Sequence, residues 1–370
     1  MMTRSMKLAM AASTAGMLGF YLLFSALPLY AATGGGAGGS GAGAVTGVMM
    51  LATVLAEPTV PWLLSRFGYR AVMALGLTLL GLPALLLPLS AELPLVLAVS
   101  LLRGAGLGIL VVVGTAITAE LVPAERRGEG LGLYGVAVGV PSILGLPLGL
   151  WASDTLGFTP VLIIAALVPL AGLVATAGLP ATRPARATGG PGLGLRGLAG
   201  PAVLFGTTAV ATGVMVTFLP LAGSPGLASV ALLAQSLATP TARWVAGRLG
   251  DRHGSARLLV PGLSAAVGGV ALQVWVGSPV AVVAGMALFG VGFGVLQNAT
   301  LALMFERGAA STVSALWNLA YDAGMGVGAM GFGLVLGLTG YPAGFAMVAV
   351  LVAVTLPLAR AGRTQAPLAR

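Results

Sequence analysis

The chain alternates long apolar segments with short polar connections from one end to the other. A helix that crosses the hydrocarbon core of a bilayer needs about 20 consecutive, mostly apolar residues. Each apolar segment is therefore predicted to be a membrane-spanning helix, and the fold class is an all-α integral membrane protein with twelve transmembrane helices. The predicted spans are 10–32, 44–64, 71–90, 93–119, 130–152, 158–179, 200–221, 227–247, 258–277, 279–304, 311–336 and 341–359.

The longest polar stretch, 181–198, lies between the sixth and seventh spans and combines proline, glycine and arginine. A segment of this composition is typical of a linker. It predicts an N-terminal six-helix bundle at 1–180, a linker at 181–198 and a C-terminal six-helix bundle at 199–370.

An internal repeat relates the two predicted bundles. Shifting the sequence by 186 positions places Arg66 on Arg252 and Gly106 on Gly292, and the same shift holds from the second span through the fourth. Two parallel six-helix halves are one of the architectures used by secondary transporters, which bind substrate near the bilayer midplane between the repeats.

Composition supports the bilayer as the solvent, since 58% of the residues are hydrophobic and 7% are charged, against roughly 25% charged in soluble domains. There is no Cys, and His253 is the one His, so disulfides, Cys/His metal clusters and catalytic triads are excluded. We expect neither a metal nor a cofactor. Although the net charge is +9, no basic stripe is interleaved with aromatic residues, so nucleic-acid binding is not expected.

The basic residues predict the orientation. Of the 18 Lys and Arg residues, all but Arg103 lie in connections on one side of the predicted spans or in the last turns next to them. Lys and Arg accumulate on the cytoplasmic side of a membrane. We therefore expect a multi-pass protein of the cytoplasmic (plasma) membrane with both termini and the 181–198 linker in the cytoplasm.

Three glycine-containing motifs carry a family resemblance. The connection after the eighth span holds Gly247, Asp251, Arg252 and Gly254, and the matching connection of the first half keeps Arg66, Gly68 and Arg70 with Ser65 in place of the Asp. Arg103 begins a glycine-rich run in the fourth span. The fifth span carries a Gly/Pro motif consisting of Gly135, Gly139, Pro141, Gly145 and Gly149.

These motifs resemble the major facilitator superfamily. The run that begins at Arg103 is similar to one of its proton-coupled members, and the fifth-span motif is similar to that of its drug:proton antiporters. The resemblance implies two pseudo-symmetric six-helix bundles, cytoplasmic gate loops at the two Arg/Gly connections, and a helix-packing role for the fifth-span motif. In the first gate loop, Ser65 lacks the carboxylate of the family pattern.

Three ionisable residues within the predicted spans are candidates for proton coupling, because intramembrane charges are costly and often functional. Arg103 and Asp322 lie near mid-membrane, and Glu57 lies nearer the cytoplasmic end. The alternatives are a structural pair with a carbonyl or an acid for Arg103, a helix-packing hydrogen bond for Asp322, and an interfacial position for Glu57.

Polar and aromatic residues in the spans are candidates for lining a substrate cavity: Tyr21, Gln297, Asn298, Trp317, Asn318 and Tyr321. Hydrogen bonds between neighbouring helices are an equally good explanation for the amides. Helical spacing places Asn318 and Asp322 on one face, with Tyr321 beside them.

The sequence therefore predicts a non-enzymatic, monomeric secondary transporter that exports small hydrophobic or drug-like compounds by alternating access, driven by protons. Its expected partners are the small-molecule substrate, protons and the lipid bilayer. The alternatives are proton-coupled or facilitative uptake of a small metabolite, such as an organic anion or a sugar, and a membrane-embedded enzyme or lipid-handling protein. The lack of Cys, of a usable His and of paired acids on one span counts against the enzyme.

Overall fold

The computed structural model describes residues 3–122, 127–183, 196–308 and 310–364. Within these ranges the regular structure is entirely helical. Short 3₁₀ segments connect or extend the α-helices at Glu57–Thr59, Leu82–Leu89, Ser255–Leu258 and Gln273–Trp275. The α-helices are α1 (Arg4–Phe24), α2 (Ala26–Thr33), α3 (Gly38–Ala56), α4 (Val60–Gly81), α5 (Leu93–Leu121), α6 (Arg127–Leu156), α7 (Phe158–Thr176), α8 (Arg196–Ala222), α9 (Pro225–His253), α10 (Leu259–Leu272), α11 (Pro279–Phe305), α12 (Ala310–Ala353) and α13 (Leu356–Thr364).

The helices account for the predicted spans. Among the described residues, 9 helical segments are long and apolar enough to cross a membrane. Two of them, Gly38–Leu89 with 52 residues and Thr312–Ala361 with 50, are each long enough for two spans. Helix α9 is not among these segments, because Gln235, Ser236, Thr239, Pro240 and Thr241 interrupt its apolar residues. Dividing the two long segments and adding α9 gives the twelve spans that the sequence predicts.

Glycines with positive φ divide the two long segments. Gly68 interrupts α4 at φ 78°, and Gly340 interrupts α12 at φ 70°. This left-handed region is disfavoured for residues with a Cβ. Gly254 at φ 85° and Gly157 at φ 86° stand at the corresponding turns of the opposite halves. The four glycines thus allow the chain to reverse between neighbouring spans.

The chain forms two compact units, Met1–Gly189 and Gly190–Arg370. The junction falls inside the predicted 181–198 linker, of which residues 184–195 lie outside the described ranges. The cytoplasmic position of that linker and the domain limits at 180 and 199 stay predictions.

In the first unit, α1 packs against α6 and α7, while α5 packs against α3 and α4. A buried aliphatic cluster that includes Leu23, Leu87, Val96 and Val161 joins α1, α5, α7 and the 3₁₀ segment after α4. In the second unit, α8 packs against α12, and α11 packs against α9 and α10.

The predicted repeat reappears in the close contacts within each unit. A Cβ placed on Gly104 would overlap the carbonyl oxygen of Met49, and one on Gly290 would crowd the carbonyl oxygen of Gln235. Both members of the second contact lie 186 positions after those of the first. The same shift relates two further glycine–carbonyl contacts of the first unit, Gly106–Gly76 and Gly108–Thr53, to Gly292–Gly262 and Gly294–Thr239 in the second. It also relates Gly68 to Gly254, which both have a positive φ. The two units therefore use one packing scheme, in which small residues let helix backbones approach closely.

Candidate functional site

Arg103 of α5 lies inside the first unit, with none of its surface exposed. Its Nη1 donates to the carbonyl oxygen of Leu80 at 2.5 Å, and its Nη2 donates to that of Gly19 at 3.0 Å. The guanidinium thereby joins α5 to α4 and α1. These contacts match the structural alternative for Arg103, a pair with backbone carbonyls, and its part in proton coupling stays a prediction.

The carbonyl of Leu80 needs this donor because of Pro83. Helix α4 ends at Gly81 and continues as a 3₁₀ helix over Leu82–Leu89. In 3₁₀ geometry the carbonyl of Leu80 would pair with the N–H of residue 83, but proline has none. The cationic Arg103 supplies the missing donor, and its charge also suits the negative end of the α4 dipole.

The second unit shows the opposite combination at the repeated positions. Gly269 stands where the first unit has Pro83, and α10 continues through it to Leu272. Phe289, fully buried, stands where the first unit has Arg103. Because α10 stays helical at Gly269, its carbonyls keep their helical hydrogen-bond donors. The apolar ring of Phe289 can therefore occupy the position that Arg103 has in the first unit.

Four aromatic rings form a stack in the second unit, between α8, α11 and α12. We call Phe205, Phe293, Trp317 and Tyr321 the aromatic stack. The ring centroids of Phe205 and Trp317 are 4.3 Å apart with an interplanar angle of 12°, and those of Phe205 and Tyr321 are 5.7 Å apart at the same angle. Phe293 lies 5.8 Å from Phe205 and 6.1 Å from Tyr321.

The stack has a buried side and a more open side. Phe205 and Phe293 are buried, whereas Trp317 and Tyr321 keep part of their surface exposed. The Nε1 atom of Trp317 is buried and makes no hydrogen bond to the part of the chain that the structure describes. An indole N–H is a donor that normally finds a partner when it is buried, but with almost no accessible surface this atom does not reach a ligand in this conformation.

Polar side chains surround the stack on the same two helices. Asn318 and Asp322 follow Trp317 and Tyr321 along α12, and Gln297 lies four residues after Phe293 on α11. Asp322 is 8% exposed, while Gln297 and Asn318 are half-buried. Helical spacing places Gln297 on the Phe293 face of α11. The second unit thus brings together four of the predicted cavity residues and one predicted coupling residue.

Arg243 of α9 adds a positive charge near this group, since it interacts electrostatically with Tyr321. The sequence analysis assigned Arg243 to the membrane boundary and gave it no role. It also stands 186 positions after Glu57, so the two units carry opposite charges at repeated positions.

The remaining predicted residues are placed elsewhere. Asn298 faces α9, where a Cβ on Gly247 would lie 3.4 Å from its Nδ2 atom. In the first unit, Tyr21 of α1 packs edge-on against Phe20 with a centroid distance of 4.9 Å. Glu57 is half-buried in the 3₁₀ turn Glu57–Thr59, where Pro58 removes an α-helical donor.

The predicted gate loops form turns around Gly68 and Gly254, with exposed charges. Arg66, Arg70, Asp251 and Arg252 are all exposed. The first loop is held to the segment after α7, because the N–H of Tyr69 donates to the carbonyl of Thr182 at 3.2 Å. Gating by these loops stays a prediction.

The fifth-span motif packs along only part of its length. A Cβ on Gly145 would overlap Tyr21, and one on Gly149 would overlap the carbonyl oxygen of Leu22. A Cβ on Gly135 or Gly139 would meet open space. Among the described residues, another helix thus approaches Gly145 and Gly149 closely but does not approach Gly135 or Gly139. Pro141 is buried between the two pairs, and the helix-packing role of the motif stays a prediction.

Sequence reasoning missed two functional candidates, Phe293 and Arg243. Phe293 stands between Gly292 and Gly294, which pack closely against α10 and α9. A large ring among small residues that bring helices together was therefore an available signal. The nearness of Arg243 to Tyr321 had no such signal, because it depends on how α9 and α12 pack.

The all-helical fold, the repeated units and the intramembrane polar groups define a multi-pass membrane protein of the transporter type. The chain matches the Major Facilitator Superfamily over residues 9–329 and belongs to that family.

A stretch of 100 residues is 32% identical to the MFS-type transporter YfiU of Bacillus subtilis (strain 168), covering 27% of this chain and 19% of YfiU. A stretch of 264 residues is 28% identical to the MFS-type transporter Rv1877 of Mycobacterium tuberculosis (strain ATCC 25618 / H37Rv), covering 67% of this chain and 34% of Rv1877. The chain thus spans about a third or less of the length of these curated relatives.

Solved transporters share the fold at low identity. A nucleoside transporter, NupG (D323A mutant), has a TM-score of 0.73 at 14% identity, covering 96% of this chain and 99% of its own. A bacterial homolog of the human lysosomal transporter Spinster has a TM-score of 0.75 at 13% identity, covering 97% and 96%. A POT family transporter in complex with 5-aminolevulinic acid has a TM-score of 0.76 at 12% identity, covering 96% and 95%.

Proposed function

We propose that this member of the major facilitator superfamily exports small, hydrophobic, ring-containing compounds in exchange for protons. Proteins of this family act as secondary transporters, and the chain carries no nucleotide-binding motif, so an ion gradient is the natural energy source. We further propose that it acts as a monomer in the cytoplasmic membrane with both termini inside, as the distribution of Lys and Arg predicts.

The aromatic stack is the observation that carries the substrate class. Trp317 and Tyr321 present partly exposed ring surface above the buried Phe205 and Phe293. A planar ring on a substrate can continue such a stack. Aromatic contacts of this kind contribute about 0.5–1.5 kcal/mol beyond area burial.

Asp322 is our candidate for the proton carrier, with Glu57 as the second. Its carboxyl lies on α12 next to Tyr321 and is almost completely buried. Burial disfavours a charged carboxylate, whereas an arginine stays protonated and can only bias a neighbouring acid. As the environment of Asp322 alternates between wet and dry during transport, its affinity for a proton would change with it.

A second candidate function is the uptake of a small organic anion. Arg243, which interacts electrostatically with Tyr321, favours it, because a cation beside the ring stack could bind a carboxylate on the substrate. Under this alternative, removing the charge of Arg243 abolishes binding of the anion, whereas export of neutral ring compounds does not need that charge.

Binding measurements on the purified protein distinguish the two. We expect Trp317→Ala to weaken binding of neutral aromatic compounds by about tenfold, which corresponds to the loss of one favourable stacking contact. Trp275→Ala, on an exposed Trp of the same unit outside the stack, is the matched control and should bind normally. Unchanged binding in Trp317→Ala, together with loss of anion binding in Arg243→Gln, would favour the uptake of organic anions.

A further inference from the structure

A long apolar groove lies within the second unit, apart from the aromatic stack. Its volume is about 540 Å³, and it is lined by one face of α9 from Ala234 to Leu249, by Val291 and Val295 of α11, and by Leu258. The only side-chain polar atom of the lining residues belongs to Thr241, and its hydroxyl donates to the carbonyl of Leu237 at 2.8 Å. The groove therefore offers a ligand almost nothing but hydrocarbon.

The dimensions of the groove fit one leaflet of a bilayer. From Ala234 to Leu249 the α9 face is about 22 Å long at 1.5 Å per residue. Half of the hydrocarbon core of a bilayer is about 15 Å thick. An extended acyl chain can therefore lie along most of the groove.

Basic side chains continue the same face of α9 beyond the groove. Arg248 and Arg252 follow Thr241 and Val245 at a spacing of seven residues, so they lie on the lining face. Arg257 directly precedes the lining residue Leu258. All three arginines are exposed, and with Asp251 as the acid among them they leave a net charge of +2.

Trp244 lies close to this charged end, five residues before the lining residue Leu249. It is 59% exposed, and the guanidinium of Arg248 stacks over its ring at 4.0 Å. Exposed tryptophans are enriched where a membrane protein passes from hydrocarbon to headgroups. The stacking also holds the guanidinium at that level, where a lipid phosphate would lie.

We propose that this groove binds an anionic phospholipid of the surrounding bilayer. One acyl chain lies between α9 and α11, and the phosphate and the charged headgroup are bound by Arg248, Arg252 and Arg257. Basic pockets beside membrane helices are suited to anionic headgroups, and guanidinium groups bind phosphate through paired hydrogen bonds. The charge at one end distinguishes this occupant from a second copy of the chain, which would need apolar surface along the whole groove.

Native mass spectrometry of the purified full chain, titrated with phosphatidylglycerol or with phosphatidylcholine, tests the proposal. We expect the wild-type protein to bind phosphatidylglycerol preferentially. Arg248→Gln/Arg257→Gln should weaken that binding about thirtyfold, or roughly fivefold for each arginine near the headgroup. Arg4→Gln/Lys7→Gln removes two exposed basic residues of the first unit, neither of which lines the groove, and should change nothing.

A groove-filling variant tests the acyl-chain part separately. Thr241→Trp should reduce binding of both lipids, because the indole would occupy the middle of the groove. Leu233→Trp, on an exposed residue of α9 outside the lining, is its control. Equal affinity of the wild-type protein for the two lipids, or variants that match their controls, would overturn the proposal. A species of twice the chain mass that disappears in Thr241→Trp would assign the groove to a second copy instead.

Discussion

Replacing Arg103 by methionine should destabilise the first unit only while Pro83 is present. Methionine keeps a similar length but donates no hydrogen bond. The carbonyl of Leu80, which Arg103 contacts at 2.5 Å, would then be buried without the donor that Pro83 fails to provide. Leaving a buried acceptor unsatisfied costs about 1–3 kcal/mol, so we expect a loss of about 2 kcal/mol in the free energy of unfolding.

The same replacement should be nearly neutral in a Pro83→Ala background. Alanine restores the N–H at position 83, as Gly269 does at the repeated position of the second unit, where Phe289 stands in place of Arg103. Removing a buried charge whose partner is no longer needed then costs little and can even stabilise. The double-mutant cycle should therefore yield an interaction energy of about 2 kcal/mol between the two positions.

Unfolding by SDS in mixed micelles, followed by far-ultraviolet circular dichroism, measures the four free energies of the cycle. Arg103→Lys serves as a further comparison, because a single ammonium cannot reproduce the planar fork that reaches both Leu80 and Gly19. It should destabilise the protein at least as much as Arg103→Met. An interaction energy below about 0.5 kcal/mol, the range of independent sites, would refute the account of Arg103 as the donor that replaces the N–H missing at Pro83.

Two more predictions follow from the repeat and from the orientation. Gly108→Ala and Gly294→Ala should each lower the free energy of unfolding by about 1–3 kcal/mol, because the added methyl group overpacks against a helix carbonyl. Gly331→Ala should be tolerated, because its methyl group would point into open space. Unfolding by SDS titration compares the three variants. Single cysteines at Ser40 and Ser65, both exposed, should react with an impermeant maleimide from opposite sides of intact cells, and labelling of both from outside would contradict the orientation.

Much of the fold could be predicted because hydropathy and repetition are properties of the sequence itself. The shift of 186 positions, read from residues such as Arg66 and Gly106, recurs in glycine contacts that pack the helices of each unit. The predicted breaks between spans fall at Gly68 and Gly340, where a positive φ is needed. Helix α9 was also predicted, although polar residues along its length keep it below the hydropathy of the other segments.

The candidate site was harder to predict, because it depends on which faces of the helices meet. Mid-membrane depth alone favoured a functional charge at Arg103, but the contact with Leu80 depends on Pro83 ending a different helix. Trp317 and Tyr321 were recognised individually, whereas their stacking with Phe205 and Phe293 requires α8, α11 and α12 to converge. Spacing along one helix does not contain that information.

Transport by Asp322→Asn in proteoliposomes tests the proposed proton-coupled export most directly. Asparagine keeps the shape of the side chain and, like a protonated carboxyl, both donates and accepts hydrogen bonds, but it cannot exchange a proton. With an imposed pH gradient and a neutral aromatic substrate, the wild-type protein should accumulate substrate against its gradient. Asp322→Asn should lose this accumulation while still exchanging substrate downhill, and uphill transport by Asp322→Asn at the wild-type rate would contradict the account.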